Sequence, residues 1–590
     1  MFRKNRSFAA FLLGLLVIGS AVAAPWGKIF ASTPSDPLVR ETLYGAVQGI
    51  QDEYCTWSWR GIPYAKPPVG SLRWRAPQPP DRWGGVLGCG SFRSICAQYG
   101  NYLTETGFET MGGYVGKGVR VGSEDCLYLN VWRPRTTRAD LPVYIFIHGG
   151  ANIFGRSDLS IYNGARFASQ SNMVFVTLNY RLGYLGWFYH PALCTGDRLD
   201  DSGNYGLLDI IQALRWVQDN IASFGGDPGN VTVCGQSAGA FNIHTLLVSP
   251  LAEGLFHRAV LMSGAPAGIS MAEAQKISEL TIYRLLKQDG YAKDTTGAKA
   301  LIAAKGNAWL RDYLKSKSID DLYSPQNGGP LGMLLDRMQR GASISTSSID
   351  GCVIPRNPLA CLKDGDYHHV PIMLGNTSEE LKLFIPFLMT DPSALWLALD
   401  EFDPDHPDFD IGDVLNPLLW PLLPLYDTMA SAGQLVFQSY GVDCVARILA
   451  KHQKDVYAYK FAWDEEPKPF DFLLGAGHAL DIAFVFGNFC PEPSSCTHIA
   501  WGEANKKGRE KLSSAMMRYH AQFARTGDPN ARRSGLPEWK PWDSARGKPK
   551  RMVFDTGGPY MSSQYVEPVE LPCPQCTLSD VMGMITSSVR

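Results

Sequence analysis

Five residues, Gly235-Gln236-Ser237-Ala238-Gly239, constrain this chain more than any other stretch. They follow the apolar run Val231-Thr232-Val233-Cys234 and lead into a helical pattern from Ala238 to Val248. A chain that passes from strand to helix in so few residues turns so tightly that bulk at either flank would clash, hence the two glycines. The turn lifts the Ser237 hydroxyl above a sheet edge. The helix that follows aims its N-terminus at the same point, where it favours developing negative charge. Such a strand needs a sheet around it, and short apolar runs supply one. Val143 to Ile147, Met173 to Leu178, Ala259 to Met262, Val370 to Leu374 and Tyr457 to Ala462 all read as buried strands. Leu207 to Ile221 reads as an amphipathic helix, with Leu208, Ile211, Leu214, Trp216, Val217 and Ile221 near helical spacing. Apolar strands alternating with helices predict the α/β class, with a central, mostly parallel sheet flanked by helices. Residues 384–440 are rich in Pro, Leu, Trp and Phe and lack strand alternation. They predict a helical insertion, either a cap shaping a pocket or a long surface excursion.

G-x-S-x-G in this context points to an activated serine, Ser237. A second glycine cluster, His148-Gly149-Gly150-Ala151, follows the strand from Val143 to Ile147. Such a turn donates backbone N–H groups to an oxyanion, so Gly150 and Ala151, with Ala238 from the serine turn, are the expected donors. His148 reads as structural. The remaining partners should follow in the order Ser, acid, His. His478 is the best base, on a loop loosened by Gly475-Ala476-Gly477 and backed by the apolar run from Ile482 to Phe486. His244 lies inside the helix after Ser237 and would point into the protein, whereas His498 and His520 read as solvated. For the acid, Glu379-Glu380 lies in the loop after the strand that ends at Gly375, and Asp350 in an Asp-Gly turn is the alternative.

Together these residues resemble the type-B carboxylesterase family, which contains cholinesterases, bile-salt-activated and fungal lipases and juvenile hormone esterases. The segment Phe224-Gly225-Gly226-Asp227-Pro228-Gly229-Asn230 through Gly239 resembles the family's serine signature. Glu124-Asp125-Cys126-Leu127-Tyr128-Leu129-Asn130-Val131-Trp132 resembles its second signature. The likeness runs from about 43 to 557. It implies the α/β-hydrolase fold with helical insertions over an active-site gorge. It makes Glu380 the triad acid, within Gly375-Asn376-Thr377-Ser378-Glu379-Glu380, although Leu381 stands where the family has Gly. His478 matches the family's histidine, with Ala479 and Asp481 in place of Gly and Glu. The resemblance also implies a Cys96–Cys126 disulfide closing a loop over the gorge, and structural ion pairs Arg73–Glu124 and Arg181–Asp209. Cholinesterases carry an acidic residue where this chain has Gln236, and a Trp in the loop before Glu124. Residues 97–123 hold Tyr99, Tyr102, Phe108 and Tyr114 but no Trp. A quaternary ammonium needs an aromatic face and is helped by negative charge, so choline esters are disfavoured. Gln236 is shared with juvenile hormone esterases, but Asp209-Ile210 replaces their Asp-Gln. Asn152 stands where Phe is common and predicts a more polar pocket mouth.

Arg3, Lys4 and Arg6, the apolar stretch from Phe8 to Val22 and Ala21-Val22-Ala23 read as a secretory signal peptide over 1–23. No later stretch is long and apolar enough to span a membrane, so 24–590 is expected as a single extracytoplasmic, secreted or periplasmic, catalytic domain. The net charge of −2 excludes a basic field for nucleic acid. Export permits disulfides. Thirteen cysteines is an odd count; Cys234 is the expected buried free thiol and most others are available to staple surface loops, with Cys573-Pro-Gln-Cys576 read as a disulfide near the tail. Asn376-Thr377-Ser378 is a glycosylation sequon. The expectation is a serine esterase acting on small-molecule carboxylic esters, with no metal or organic cofactor. The alternatives are a lipase or sterol-esterase type with a lid from 96–126 and 384–440, and a non-catalytic adhesion module.

Overall fold

Alternate side chains of the strand before His148 are buried in opposite directions, and that sets the architecture. Val143, Ile145 and Ile147 join one apolar cluster, while Tyr144 and Phe146 join another. A strand apolar on both faces must be covered twice. The computed structural model describes residues 36–100, 120–323, 347–383, 402–405, 426–490 and 497–562, apart from positions 427, 429, 432, 433 and 436. Within them an eleven-stranded sheet is built from β1 (Ile50–Asp52), β2 (Thr56–Pro63), β3 (Tyr128–Pro134), β4 (Leu141–Ile147), β5 (Val174–Leu178), β6 (Gly226–Gln236), β7 (Arg258–Met262), β8 (Ile372–Thr377), β9 (Val456–Phe461), β10 (Arg551–Phe554) and β11 (Tyr560–Ser562). Their order across the sheet is β11-β10-β9-β8-β7-β6-β4-β5-β3-β2-β1. From β5 to β10 every pairing is parallel. Antiparallel strands close both edges.

The helices divide between the faces. Helix α1 (Ala165–Ser171) lies on the Tyr144 face, and α2 (Tyr205–Asn220) and α3 (Ala238–Val248) on the Val143 face. Helices α4 (Met271–Gln288) and α5 (Thr295–Ser316) pack in a third cluster with Ala151 and Ile153. On the Tyr144 face, α6 (Asp481–Phe486) and α7 (Glu503–Thr526) complete the cover. Phe486 anchors α6 edge-on against Phe146, Phe175 and Phe167, with centroids 5.0, 5.0 and 5.6 Å away. Contacts of this kind contribute about 0.5–1.5 kcal/mol each beyond area burial, and they pin the element that follows His478. This is the α/β-hydrolase fold. Strand order reverses at β4, with β5 on one side and β6 on the other. Such a reversal opens a crevice at the carboxyl ends of the strands, where α/β proteins bind ligands.

The sequence expectations meet several corrections here. His520 is fully buried, and its Nδ1 lies 2.9 Å from the Tyr144 hydroxyl; burial pushes its pKa down to about 3. His498 is also buried rather than solvated. Both lie on the apolar side of their elements, which polar neighbours in sequence concealed. Asn376 of the sequon is buried on β8, so the folded chain does not offer it for glycosylation. Cys96–Cys126 is a disulfide, whereas Cys55, Cys89, Cys194, Cys352, Cys361 and Cys444 carry none, so loop stapling is sparser than expected. Cys234 is a buried thiol whose pKa is raised by burial. The signal-peptide stretch, Cys573 to Cys576 and most of 384–440 lie outside the described residues; of the last, 402–405 are described and not helical, and the part from 426 on is helical. Among the described residues no helix is long and apolar enough to cross a membrane.

Candidate active site

Ser237 sits between β6 and α3 at φ 53° and ψ −122°, a left-handed conformation that costs a non-glycine residue about 1–3 kcal/mol. Its N–H donates to the Met262 carbonyl at 2.8 Å, which ties the turn to the end of β7. The flanking glycines are needed for closeness. A Cβ on Gly239 would lie 2.0 Å from the Ile147 carbonyl oxygen, and one on Gly235 would lie 2.5 Å from the Gly239 carbonyl carbon. The turn after β4 rests against this one, since a Cβ on Gly149 would meet the Ser237 Cβ at 3.0 Å. Gly150, Ala151 and Asn152 all have positive φ, at 100°, 54° and 57°. Among the described residues the N–H groups of Gly150, Ala151 and Ala238 donate to nothing, so three unpaired donors border the serine turn. His148 is buried, stacked on Tyr180 at 4.4 Å, with its pKa pushed down to about 4 by burial. It belongs to the scaffold, as does His244, buried in α3 and lowered to about 3 by burial.

His478 and Glu380 come from two further strand ends. The segment after β8 is zipped to the loop after β9. Glu379 N–H donates to the Ala476 carbonyl at 3.1 Å, Ala476 N–H donates to Glu379 Oε2 at 2.9 Å, and Glu379 and Gly477 form a parallel bridge. That zipper carries the next carboxylate, Glu380 Oε2, onto His478 Nδ1 in a short contact. Glu380 is fully buried, and its Oε1 accepts from the Ser263 hydroxyl at 2.7 Å and from the Thr377 N–H at 2.8 Å. With Nδ1–H donated to the carboxylate, the lone pair lies on Nε2, the atom a general base uses. Nε2 is 3.0 Å from the Gln236 side-chain nitrogen, one residue before Ser237. Asp350, the alternative acid, is occupied elsewhere: its carboxylate accepts from the N–H groups of Val353 and Ile354 at 3.0 and 2.8 Å.

The sequence did not disclose three features. Gln236 reaches the imidazole. Asp481, at the start of α6, is a second buried acid, with its Oδ2 accepting from the Tyr459 hydroxyl at 2.9 Å. Burial and then the nearby Glu380 charge push its pKa up to about 7. Asn152 is fully buried and exchanges hydrogen bonds with Asn242. Of the aromatic residues noted in 97–123, Tyr99 is buried against Tyr323 at 5.4 Å, and Tyr102, Phe108 and Tyr114 lie outside the described residues. Both expected ion pairs form. Arg181 grips Asp209 through two bonds of 2.7 Å, and Arg73 Nε meets Glu124 Oε2 at 2.6 Å, all four side chains being buried. Among the described residues no group of three or more His, Cys, Asp or Glu is placed to hold a metal ion.

Comparison with known proteins returns consistent matches. The profile of the carboxylesterase family matches residues 36–407 and 425–558. The chain is 31% identical to the para-nitrobenzyl esterase of Bacillus subtilis (strain 168), over 84% of this chain and 92% of that one. It is also 31% identical to liver carboxylesterase 1 of Oryctolagus cuniculus, over 91% and 93%. Among solved structures, a PNB esterase superposes with a TM-score of 0.67 at 26% identity, covering 89% of this chain and 97% of that chain. A Geobacillus stearothermophilus carboxylesterase superposes with a TM-score of 0.64 at 30% identity, covering 89% and 98%.

Proposed function

The chain belongs to the carboxylesterase family, and from that premise we propose that it hydrolyses carboxylic esters through an acyl-enzyme on Ser237. For attack, the Ser237 hydroxyl takes the place of the Gln236 amide on the His478 Nε2 lone pair. His478 accepts the proton as Oγ bonds to the acyl carbon. Glu380 holds the imidazole in the productive tautomer and stabilises the imidazolium once it forms. Gly150, Ala151 and Ala238 donate to the tetrahedral oxyanion, each such donor being worth about 10²–10³ in rate. His478 then protonates the leaving alcohol. Water activated by the same nitrogen attacks the acyl-enzyme, releasing the acid and restoring Ser237. Each step balances without a metal or organic cofactor.

One observation carries this reading: a fully buried carboxylate meets His478 Nδ1 beside a strained serine turn. A carboxylate in that position is stable only with partners, and Glu380 has His478 Nδ1, the Ser263 hydroxyl and the Thr377 N–H. Export and a single catalytic domain over 24–590 are part of the proposal, supported by the signal-like N-terminus and by the Cys96–Cys126 disulfide, which favours an oxidising compartment. The test is hydrolysis of p-nitrophenyl acetate and of a p-nitrobenzyl ester. Ser237→Ala should abolish both, and wild-type turnover by that variant would sink the assignment.

A further inference from the structure

Asn152 and Asn242 form a closed pair of amides. Asn242 Nδ2 donates to Asn152 Oδ1 at 3.0 Å, and Asn152 Nδ2 donates to Asn242 Oδ1 at 3.3 Å. Both side chains are fully buried. Asn152 directly follows Ala151 in the turn after β4, and Asn242 lies five residues past Ser237 on α3. The pair therefore spans the two elements that supply the oxyanion donors, Gly150 and Ala151 on one side and Ala238 on the other. The close approach of Gly149 to Ser237 and of Gly239 to the Ile147 carbonyl sets the two turns against each other at their base, and the amide pair adds a directional side-chain tie further along. Ala151 and Asn152 are consecutive non-glycine residues in the left-handed region, a conformation that persists only where surrounding contacts over-determine it. The turn's backbone is held within itself by Ile153 and Phe154 N–H on the Gly150 carbonyl, and against α-helical neighbours by Gly183 N–H on the Asn152 carbonyl at 2.7 Å. The side-chain tie to α3 is the amide pair. Being neutral, it ties the two elements together without burying a charge.

We propose that Asn152 and Asn242 are positioning residues that set the spacing between the two halves of the oxyanion hole. The proposal rests on the esterase reading above. An oxyanion is stabilised only by donors placed where charge develops, and a misplacement of about 1 Å costs on the order of 10²-fold. Both side chains are fully buried and bonded to each other, so ground-state binding should be left alone and the loss should fall on kcat.

The test is a double-mutant cycle of Asn152→Ala and Asn242→Ala, with rates normalised to active sites titrated by a fluorophosphonate. Each single variant should lose roughly 10–100-fold in kcat on p-nitrophenyl acetate, with KM changed less than about threefold. The double variant should lose no more than the worse single, because either truncation breaks the same pair. A second readout separates positioning from general loosening. A trifluoromethyl ketone, 1,1,1-trifluoro-2-octanone, adds to the serine and places an oxyanion in the hole, so its affinity should fall in step with kcat/KM. Affinity for octanoate, which forms no oxyanion adduct, should not move. The proposal is overturned if normalised rates equal wild type, if the single losses multiply in the double, or if ketone and octanoate affinities fall together. A wild-type enzyme that neither hydrolyses the ester nor binds the ketone would overturn the esterase reading instead.

Discussion

Replacing Glu380 by Gln tests the acid–base arrangement through its hydrogen-bond bookkeeping. Glu380 Oε1 accepts two donors, the Ser263 hydroxyl and the Thr377 N–H, while Oε2 faces His478 Nδ1. An amide can accept on one side only. With two donors fixed at the Oε1 position, the Gln carbonyl must take that place and its NH₂ must face Nδ1. Nδ1 then has to accept, so the proton moves to Nε2 and the base lone pair beside Ser237 is lost. General-base catalysis is worth on the order of 10²–10⁴. Taking about 10³, the barrier rises by about 4 kcal/mol at 1.36 kcal/mol per decade. The assay is kcat on p-nitrophenyl acetate at pH 8, with thermal denaturation to confirm folding. Glu379→Gln is the control. The Gln carbonyl still accepts from Ala476 N–H and only the charge facing Lys382 is lost, so this change should cost less than about tenfold. A folded Glu380→Gln enzyme keeping more than about a tenth of wild-type kcat would refute the reasoning, as would an equal loss in Glu379→Gln.

Asp481→Asn should change how stability depends on pH. The folded carboxyl keeps its proton up to about pH 7, while the unfolded one releases it near 3.8. Between those values the folded chain binds more protons, so stability falls as pH rises, and the loss is complete above about pH 7. Asn removes that slope, so the melting temperature of the variant relative to wild type should become more favourable from pH 5 to pH 8; a constant difference would contradict it. The double replacement Cys96→Ser/Cys126→Ser opens a sequence separation of 30 and should cost about 3–4 kcal/mol in urea denaturation under oxidising conditions, against no change if the loop contributes nothing. Cys234, buried with a raised pKa, should resist 5,5′-dithiobis(2-nitrobenzoate) in the native protein and react in 6 M guanidinium; native labelling at this position would show the thiol is open.

What the sequence made legible was local. The serine turn, the glycine turn after β4 and the parallel strands depend on neighbours in the chain, and their signals survive in composition and period. Strand ends shifted only slightly, as with Val370 to Leu374 against Ile372–Thr377. The acid was harder to read. Glu379 and Glu380 are adjacent in one loop and Asp350 was an open alternative, so the resemblance was needed to prefer Glu380. In three dimensions the zipper to Ala476 and Gly477, segments some hundred residues away, decides which carboxylate meets the imidazole. The pairing of Asn152 was illegible for the same reason: its partner Asn242 lies on another element. His520 and His498 were misread because polar neighbours hid their apolar face. Gln236 and Asp481 stood out in the sequence only as departures from the family pattern; the approach of Gln236 to His478 Nε2 and the coupling of Asp481 to Glu380 are long-range and had no sequence signal.

The central claim, that Ser237 forms the covalent intermediate, is tested most directly by labelling the purified protein with a fluorophosphonate and mapping the adduct by peptide mass spectrometry. The account predicts about one adduct per chain, on the peptide bearing Ser237, and no adduct in Ser237→Ala. An adduct on another residue, or none while ester hydrolysis proceeds, would contradict it.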